Sequence, residues 1–375
     1  MSKKCILLSL FLVVSMSVSG DKIIEEGISI ESARLSAMGG THAAFTDDFL
    51  AFFTNPAGLR SFGTGWNYCD LTITGVGPIF SIIDLIIDRD MEAIPDLIRG
   101  MYAGADVVGP LSFGYIGNGI GIGLFNSTGL FIENIAPLTV GLTLSEEILF
   151  CSGYSFRIPM KSSDHTFDIG FSLKCFMRGE IAATTSILDL MSIDTGFLMS
   201  EPFYLVTGFG LDLGLLYSYK GIFTLGMTGK DVFTPTRRTQ YSDILSCFSG
   251  QGGTSENGII PFNFTIGIEY APELRRSKKY INDFRILLDY NDIFDFITHQ
   301  ETSKNPLLHI GFGMEIKLLR ILSLRGGLYQ GLFSAGFGVE LGVFTLNFAM
   351  FGREFSSEPG LKSTYNIQIG LEFQK

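Results

Sequence analysis

Apolar and polar residues alternate one by one along much of this chain. Phe167-Asp168-Ile169-Gly170-Phe171-Ser172-Leu173-Lys174-Cys175 sets a wholly apolar face against one carrying Asp168, Gly170, Ser172 and Lys174. The same period runs through Leu138 to Leu144, Phe209 to Tyr219 and Phe344 to Met350. A period of two puts successive side chains on opposite faces of a β-strand. It predicts strands at 66–74, 109–117, 119–127, 137–145, 147–157, 165–177, 205–218, 221–229, 261–271, 281–290, 306–316, 319–329, 332–340, 343–352 and 364–373.

That set is odd in number, whereas single-chain bacterial barrels have even numbers of strands. Walking back from the C-terminus, short turns at Lys317-Leu318, Leu341-Gly342 and Lys220 fall at one end. The stretches 353–363, 291–305, 231–259 and 178–203 fall at the other. The alternation of ends holds back to the strand at 165–177, so the miscount lies between 66 and 157. The pattern therefore predicts an all-β fold, a transmembrane antiparallel β-barrel of about 14 strands, with about 16 as the next choice.

A soluble β-sandwich shows the same period, and composition favours the barrel. The chain is 46% hydrophobic and only 17% charged, with 34 phenylalanines, which is greasy for a soluble protein. Yet no apolar run after the start is long enough for a spanning helix. Lipid on the apolar face of the strands accounts for both.

The start reads as an export leader over residues 1–20. Lys3-Lys4 precede an apolar run from Ile6 to Met16, then Ser17-Val18-Ser19-Gly20. That is a charged region, a short apolar core and a small-residue cleavage site, after Ser19 or Gly20. Residues 21–60 are too broken for strands and carry Gly39-Gly40 and Asn55-Pro56-Ala57-Gly58-Leu59. They are read as a hatch inside a barrel built from 61–375, with Gly39, Gly40, Asn55, Pro56, Ala57 and Gly58 as its defining residues.

Charge and chemistry narrow the function further. The net charge is −11, and it becomes more negative once Lys3 and Lys4 leave. No basic patch exists to track phosphates, which excludes nucleic acid as a partner. Cys69, Cys151, Cys175 and Cys247 do not form a disulfide framework. His42, His165, His299 and His309 are scattered along the chain, so no metal site is expected, nor any cofactor. There is no HExxH, no Gly-x-Ser-x-Gly elbow and no P-loop, so the chain is not read as an enzyme. Gly119-Ile120-Gly121-Ile122-Gly123 lies in strand context and marks close packing.

Two features bear on ligands. Ile82, Ile83 and Ile86, then Leu188 and Met191, then Phe294 and Ile297, make apolar patches in the outer connections. They either pack together as a lid or leave a groove for an apolar ligand. Glu269, Glu315, Glu340 and Glu372 recur in a Gly-x-Glu-x pattern with lumen parity, and the plainer reading is a rim of solvated carboxylates. Lys174 and Arg325 also have lumen parity and could hold a carboxylate head group. Pairing with the lumen's own acids is the plainer reading for each.

The opening stretch resembles the hatch of the FadL family. The resemblance rests on Ala33-Arg34, Met38-Gly39-Gly40, Asp47-Asp48 and Asn55-Pro56-Ala57-Gly58-Leu59. Leu324-Arg325-Gly326-Gly327-Leu328-Tyr329-Gln330-Gly331 looks like a spirochaete branch of that superfamily. The resemblance implies an outer-membrane transporter of long-chain fatty acids or other hydrophobic compounds; a monomer among outer-membrane lipid is expected, and the last strand, Tyr365 to Phe373, with an aromatic near its end, resembles the signal read by the barrel-assembly machinery. Ligand would be caught by apolar outer loops and released sideways past the hatch, with glycines at 117–123 supplying a wall kink. The alternatives are a docking barrel for a secretion or surface-protein partner, and a general porin.

Overall fold

The computed structural model of the chain describes residues 23–28, 30, 32–45, 49–78, 102–136, 139–186, 189, 195–250, 252–272, 280–299 and 303–375. The expected leader lies outside these residues. So do Ile82, Ile83, Ile86, Leu188 and Met191 of the outer patches, and Asp47-Asp48.

Fourteen antiparallel strands form the wall. They are β1 (Thr64–Val76), β2 (Tyr102–Val108 and Phe113–Gly117), β3 (Ile120–Ala136), β4 (Thr139–Ile158), β5 (His165–Ser186) and β6 (Phe203–Tyr219). Then come β7 (Phe223–Phe233 and Pro235–Tyr241), β8 (Thr254–Ile259 and Asn263–Tyr270), β9 (Ile281–Tyr290) and β10 (Ile310–Leu318). The last four are β11 (Leu322–Tyr329), β12 (Leu332–Leu341), β13 (Phe344–Glu354) and β14 (Ser363–Gln374). Each strand pairs with its neighbours in chain order, and β14 pairs with β1 through Gln368↔Thr74 and Leu371↔Leu71. The sheet therefore closes, which rules out a sandwich.

The miscount lies where parity put it. The strands expected at 137–145 and 147–157 are one strand over the described residues, β4 from Thr139 to Ile158, which is 20 residues long. Ser145-Glu146-Glu147 imitates a turn in the sequence. In the fold Glu147 stands opposite Arg178 of β5 and bonds it at 2.8 Å, while Glu146 accepts from Asn126 and Thr128 of β3. A strand needs only about 9–11 residues to cross a bilayer, so β4 and β5 project well beyond it. The polar pair marks that projection, not a chain reversal.

Inside and outside follow the alternation. In β5, Asp168, Gly170, Ser172 and Lys174 are buried, while Phe171, Leu173 and Cys175 are exposed. Ile73, Leu124, Phe150, Leu213, Leu324, Phe337 and Ile369 stand outward on other strands. This is the apolar belt of a barrel surrounded by lipid. Lipid does not take all the phenylalanines, however. Phe45, Phe49, Phe52 and Phe125 are fully buried inside the ring.

Most of that interior is filled by the N-terminal segment. Helix α1 (Ala33–Ala37) lies on β11 to β14, and helix α2 (Gly58–Phe62) on β2 to β5. Ser32 caps α1, its hydroxyl accepting from the Arg34 amide at 3.2 Å. Between the helices, Phe49, Phe52 and Leu59 pack with Ile116, Phe125 and Leu149 of the wall. A two-residue strand, Ile23–Ile24, adds in parallel to Gly258 and Ile259 of β8.

Inward glycines of the wall are the seat of this segment. A Cβ on Gly226 would lie 1.9 Å from the Ala43 carbonyl oxygen, and one on Gly170 2.3 Å from that of Pro56. Gly39 fits the other way round. Its φ is +66°, and a Cβ there would lie 2.5 Å from the Phe312 carbonyl oxygen. The glycines on the polar face of the strands are thus spaces for another piece of backbone.

Connections 77–101, 187–202, 242–253, 291–309 and 355–362 share one end of the barrel. Those at 118–119, 159–164, 220–222, 271–280, 319–321 and 342–343 share the other. Much of the expected outer stretch 231–259 is strand, the upper parts of β7 and β8. Asn118-Gly119 makes a two-residue hairpin turn between β2 and β3 and no kink. The wall is interrupted instead at 109–112, where β2 leaves the ladder. There β1 pairs with both halves of β2, through Thr64–Asn67 and Thr72–Val76, but not between them.

Candidate binding cavity

Asn55 ties the N-terminal segment together and to the wall. Its amide donates to the carbonyls of Ala43 at 2.7 Å, Met227 at 3.2 Å and Leu215 at 3.3 Å, and its Oδ1 accepts from Ala57 N at 3.1 Å. Ser155 of β4 donates to the Ala57 carbonyl at 2.8 Å. Asp289 of β9 accepts from the amides of His42 at 2.7 Å and Ala43 at 2.9 Å. Gly39 N donates to Ser334 Oγ at 3.1 Å. Of the expected hatch residues, Gly39, Asn55, Pro56, Ala57 and Gly58 are buried, and Gly40 turns the chain with φ +68°.

The glutamates of lumen parity are paired, not left as a solvated rim. Arg34 of α1 donates to Glu315 through Nε at 3.1 Å and Nη2 at 2.9 Å. Arg325 donates to the same carboxylate at 2.7 Å and to Asn347 at 2.7 Å, and Arg285 Nε lies 3.4 Å from it. Glu269 pairs with Arg285, Glu340 with Lys317, and Glu372 accepts from Asn347. Arg325 is thus engaged within the lumen. Lys174 is engaged too, with Asp231 at 2.8 Å and Asp212 at 2.9 Å. For both, the plainer of the two sequence readings is the arrangement observed.

A cavity of about 190 Å³ opens between the N-terminal segment and the wall. Ile28, Ile30, Leu35, Phe53 and Phe351 give it apolar sides. Its polar lining includes Lys174, Asp212, His42 and Lys230. Lys230 makes no hydrogen bond or ion pair among the described residues. His42 Nδ1 faces the Gly40 carbonyl at 2.8 Å, and its Nε2 is buried without a partner. Burial, and then the Lys230 ammonium, lower the His42 imidazole to about 3, so the ring is neutral.

Lys230 points inward in phase with Gly226 and Thr228, and it is Asp231 just after it that the bulge of β7 turns inward. Three residues, 230 to 232, stand between the paired positions Gly229↔Leu213 and Phe233↔Leu211, against the single Asp212. Asp231 takes φ +55°, and its amide donates to Asp212 at 2.7 Å. Bulges re-aim side chains in this way. Sequence reading ended the strand at Gly229 and missed Lys230. The signal was there: Lys230-Asp231 are adjacent charges in a run that otherwise alternates.

In the loop after β9, Phe294 stacks on Phe262 at 6.2 Å and lies 5.7 Å from Phe264, so it packs on the barrel rim. Ile297 is exposed. The same loop gathers groups that the sequence scatters. Asp295 bonds His299 Nδ1 at 2.9 Å and lies 3.4 Å from His309 Nε2. Burial, with Asp295 beside it, pushes the Asp292 carboxyl up to about 6.

No protein-family model and no curated protein sequence matches the chain. Solved structures match it in shape. The CymD monoaromatic hydrocarbon channel is 12% identical, with 91% of this chain and 96% of that one covered, at a TM-score of 0.51. The Pseudomonas putida toluene transporter TodX is 14% identical over 91% and 97%, at 0.49. A Pseudomonas aeruginosa FadL homologue is 10% identical over 95% and 98%, at 0.44. At such identities the likeness is one of fold, and the expected FadL-type barrel is the fold observed.

Proposed function

We propose that this chain is an outer-membrane transporter of small hydrophobic solutes, apolar acids among them. The observation that carries the reading is a cavity lined by Ile28, Ile30, Leu35, Phe53 and Phe351 that also holds Lys230 in its lining. An apolar solute gains by leaving water, and a carboxylate reaching the half-buried Lys230 side chain, which has no hydrogen-bonded partner among the described residues, forms a charge-assisted bond. Lys230, not Lys174 or Arg325, is the residue for that head group.

Size limits the solute. An apolar cavity of about 150 Å³ holds benzene, so this one suits a single ring or a short alkyl segment. A monoaromatic ring, the cargo named for CymD, is of that size. A long-chain fatty acid would have to displace part of residues 28–42 or extend out of the cavity. The route runs from the end bearing the long connections, with the patches at Ile82, Ile83 and Ile86, at Leu188 and Met191, and at Ile297 as first contacts. Residues 32–62 act as the hatch below them. Exit is sideways at the interruption of β2, since a hydrophobic solute is stabilised by bilayer, not by a watery pore. A general diffusion pore needs an open lumen, and the hatch fills this one.

Binding to the detergent-purified barrel tests this with two probes, octanoate and toluene. Both should bind, and Lys230→Met should weaken octanoate by roughly ten- to hundredfold, from the ~1.5–3 kcal/mol of a bond to a charged group, while toluene is unchanged. The proposal fails if neither probe binds. The role of Lys230 fails if both weaken equally.

A further inference from the structure

We infer that the loop after β9 carries a site for a zinc-class divalent metal ion, held by Asp292, Asp295 and His299 with His309 beside them. Ligand atoms of Asp292, Asp295 and His299 all lie within 4.8 Å of one another. They come from the first residues of the loop and from its short helix Asp295–Thr298. His309 immediately precedes β10 and reaches the same carboxylate of Asp295 at 3.4 Å.

A second observation points to a missing partner. Asp292 Oδ1 is sealed from solvent and has no hydrogen-bond partner. Such a carboxylate oxygen is costly to leave bare, and a cation between it and Asp295 would satisfy it. Asp295 is already oriented, its Oδ2 accepting from the Lys304 amide at 2.6 Å. Outer-shell bonds of this kind set ligands in place.

The donor set selects the ion. Calcium and magnesium prefer shells of oxygen ligands. Imidazole with carboxylate suits zinc and its neighbours, at three or four protein ligands. The consequence is mechanical. The metal would join the start of the loop, its helix and the approach to β10, with Phe294 pressed on Phe262 and Phe264 at the rim. Metal binding would then tie Asp292 and the short helix to the residues just before β10. This inference does not depend on the solute proposed above.

The experiment uses the full barrel in detergent, loaded with zinc chloride, dialysed, and assayed for bound metal. Hydrogen exchange over 291–309 is followed with and without zinc. The expected result is a single retained zinc and slowed exchange in that loop. Both should be lost in Asp292→Asn and in His299→Gln but kept in His165→Gln, which lies at the opposite end. Heat-modifiable gel mobility establishes that each variant is folded. Zinc retention unchanged in folded Asp292→Asn and His299→Gln would overturn the site, as would retention of calcium in preference to zinc.

Discussion

Three arginines, Arg34, Arg285 and Arg325, converge on the Glu315 carboxylate, and only Arg34 belongs to the N-terminal segment. Removing that charge leaves buried cations uncompensated, which costs roughly 3–5 kcal/mol. Glu315→Gln should therefore lower the urea midpoint of the folded barrel, read by heat-modifiable mobility; an unchanged midpoint would contradict the role given to this carboxylate. Asn55→Ala strips partners from the Ala43, Leu215 and Met227 carbonyls, at about 1–3 kcal/mol for each buried group left bare. Faster hydrogen exchange over residues 38–60, with wall strands unaffected, is the expected outcome. His42 sets a pH dependence. Docked, its imidazole stays neutral down to about 3; released, it titrates near 6.5. The released state alone binds the proton between those values, so its docking contribution is full above 6.5 and declines as pH falls from there toward about 3. Protease cleavage of the N-terminal segment should rise over that window, and His42→Gln should flatten the rise.

At the scale of elements, alternation told which face of each strand meets lipid, because that depends on neighbours in sequence alone. Strand length was another matter. β5 was expected to end at 177 and runs to Ser186, and β4 was divided at Glu146-Glu147. Polar residues within a strand are tolerated where cross-strand partners meet them, and those partners are distant in sequence. The inward glycines make the same point. Gly226 reads as a flaw in a strand until Ala43 is seen against it. Gly226→Val should leave the wall intact and evict the segment, producing steady ion conductance in planar bilayers. Conductance no greater than that of the parent chain would show that the seat yields.

At the scale of the whole molecule, closure makes a lumen, and the N-terminal segment then decides what kind. Without it the ring would be a wide aqueous channel. With it, polar lumen groups are bonded to the segment and a cavity of about 190 Å³ lies beside it. The likeness to CymD covers nearly all of both chains at 12% identity. The architecture is therefore shared at an identity too low to carry residue roles across, and specificity has to be argued from this chain's own Lys230 and His42.

Sequence by itself determined the barrel, its strand number and which of its connections share an end. Each of those follows from period, parity and local composition, which need no knowledge of distant neighbours. Tertiary structure alone decided which charges are spent and which are free. Lys174, Arg325 and Lys230 look alike in the chain, but only the packing of β5, β6 and β7 pairs the first, leaves the last bare, and buries Arg325 against Glu315. It also brought Asp292, Asp295, His299 and His309 together, because a loop folding back on itself erases separation along the chain.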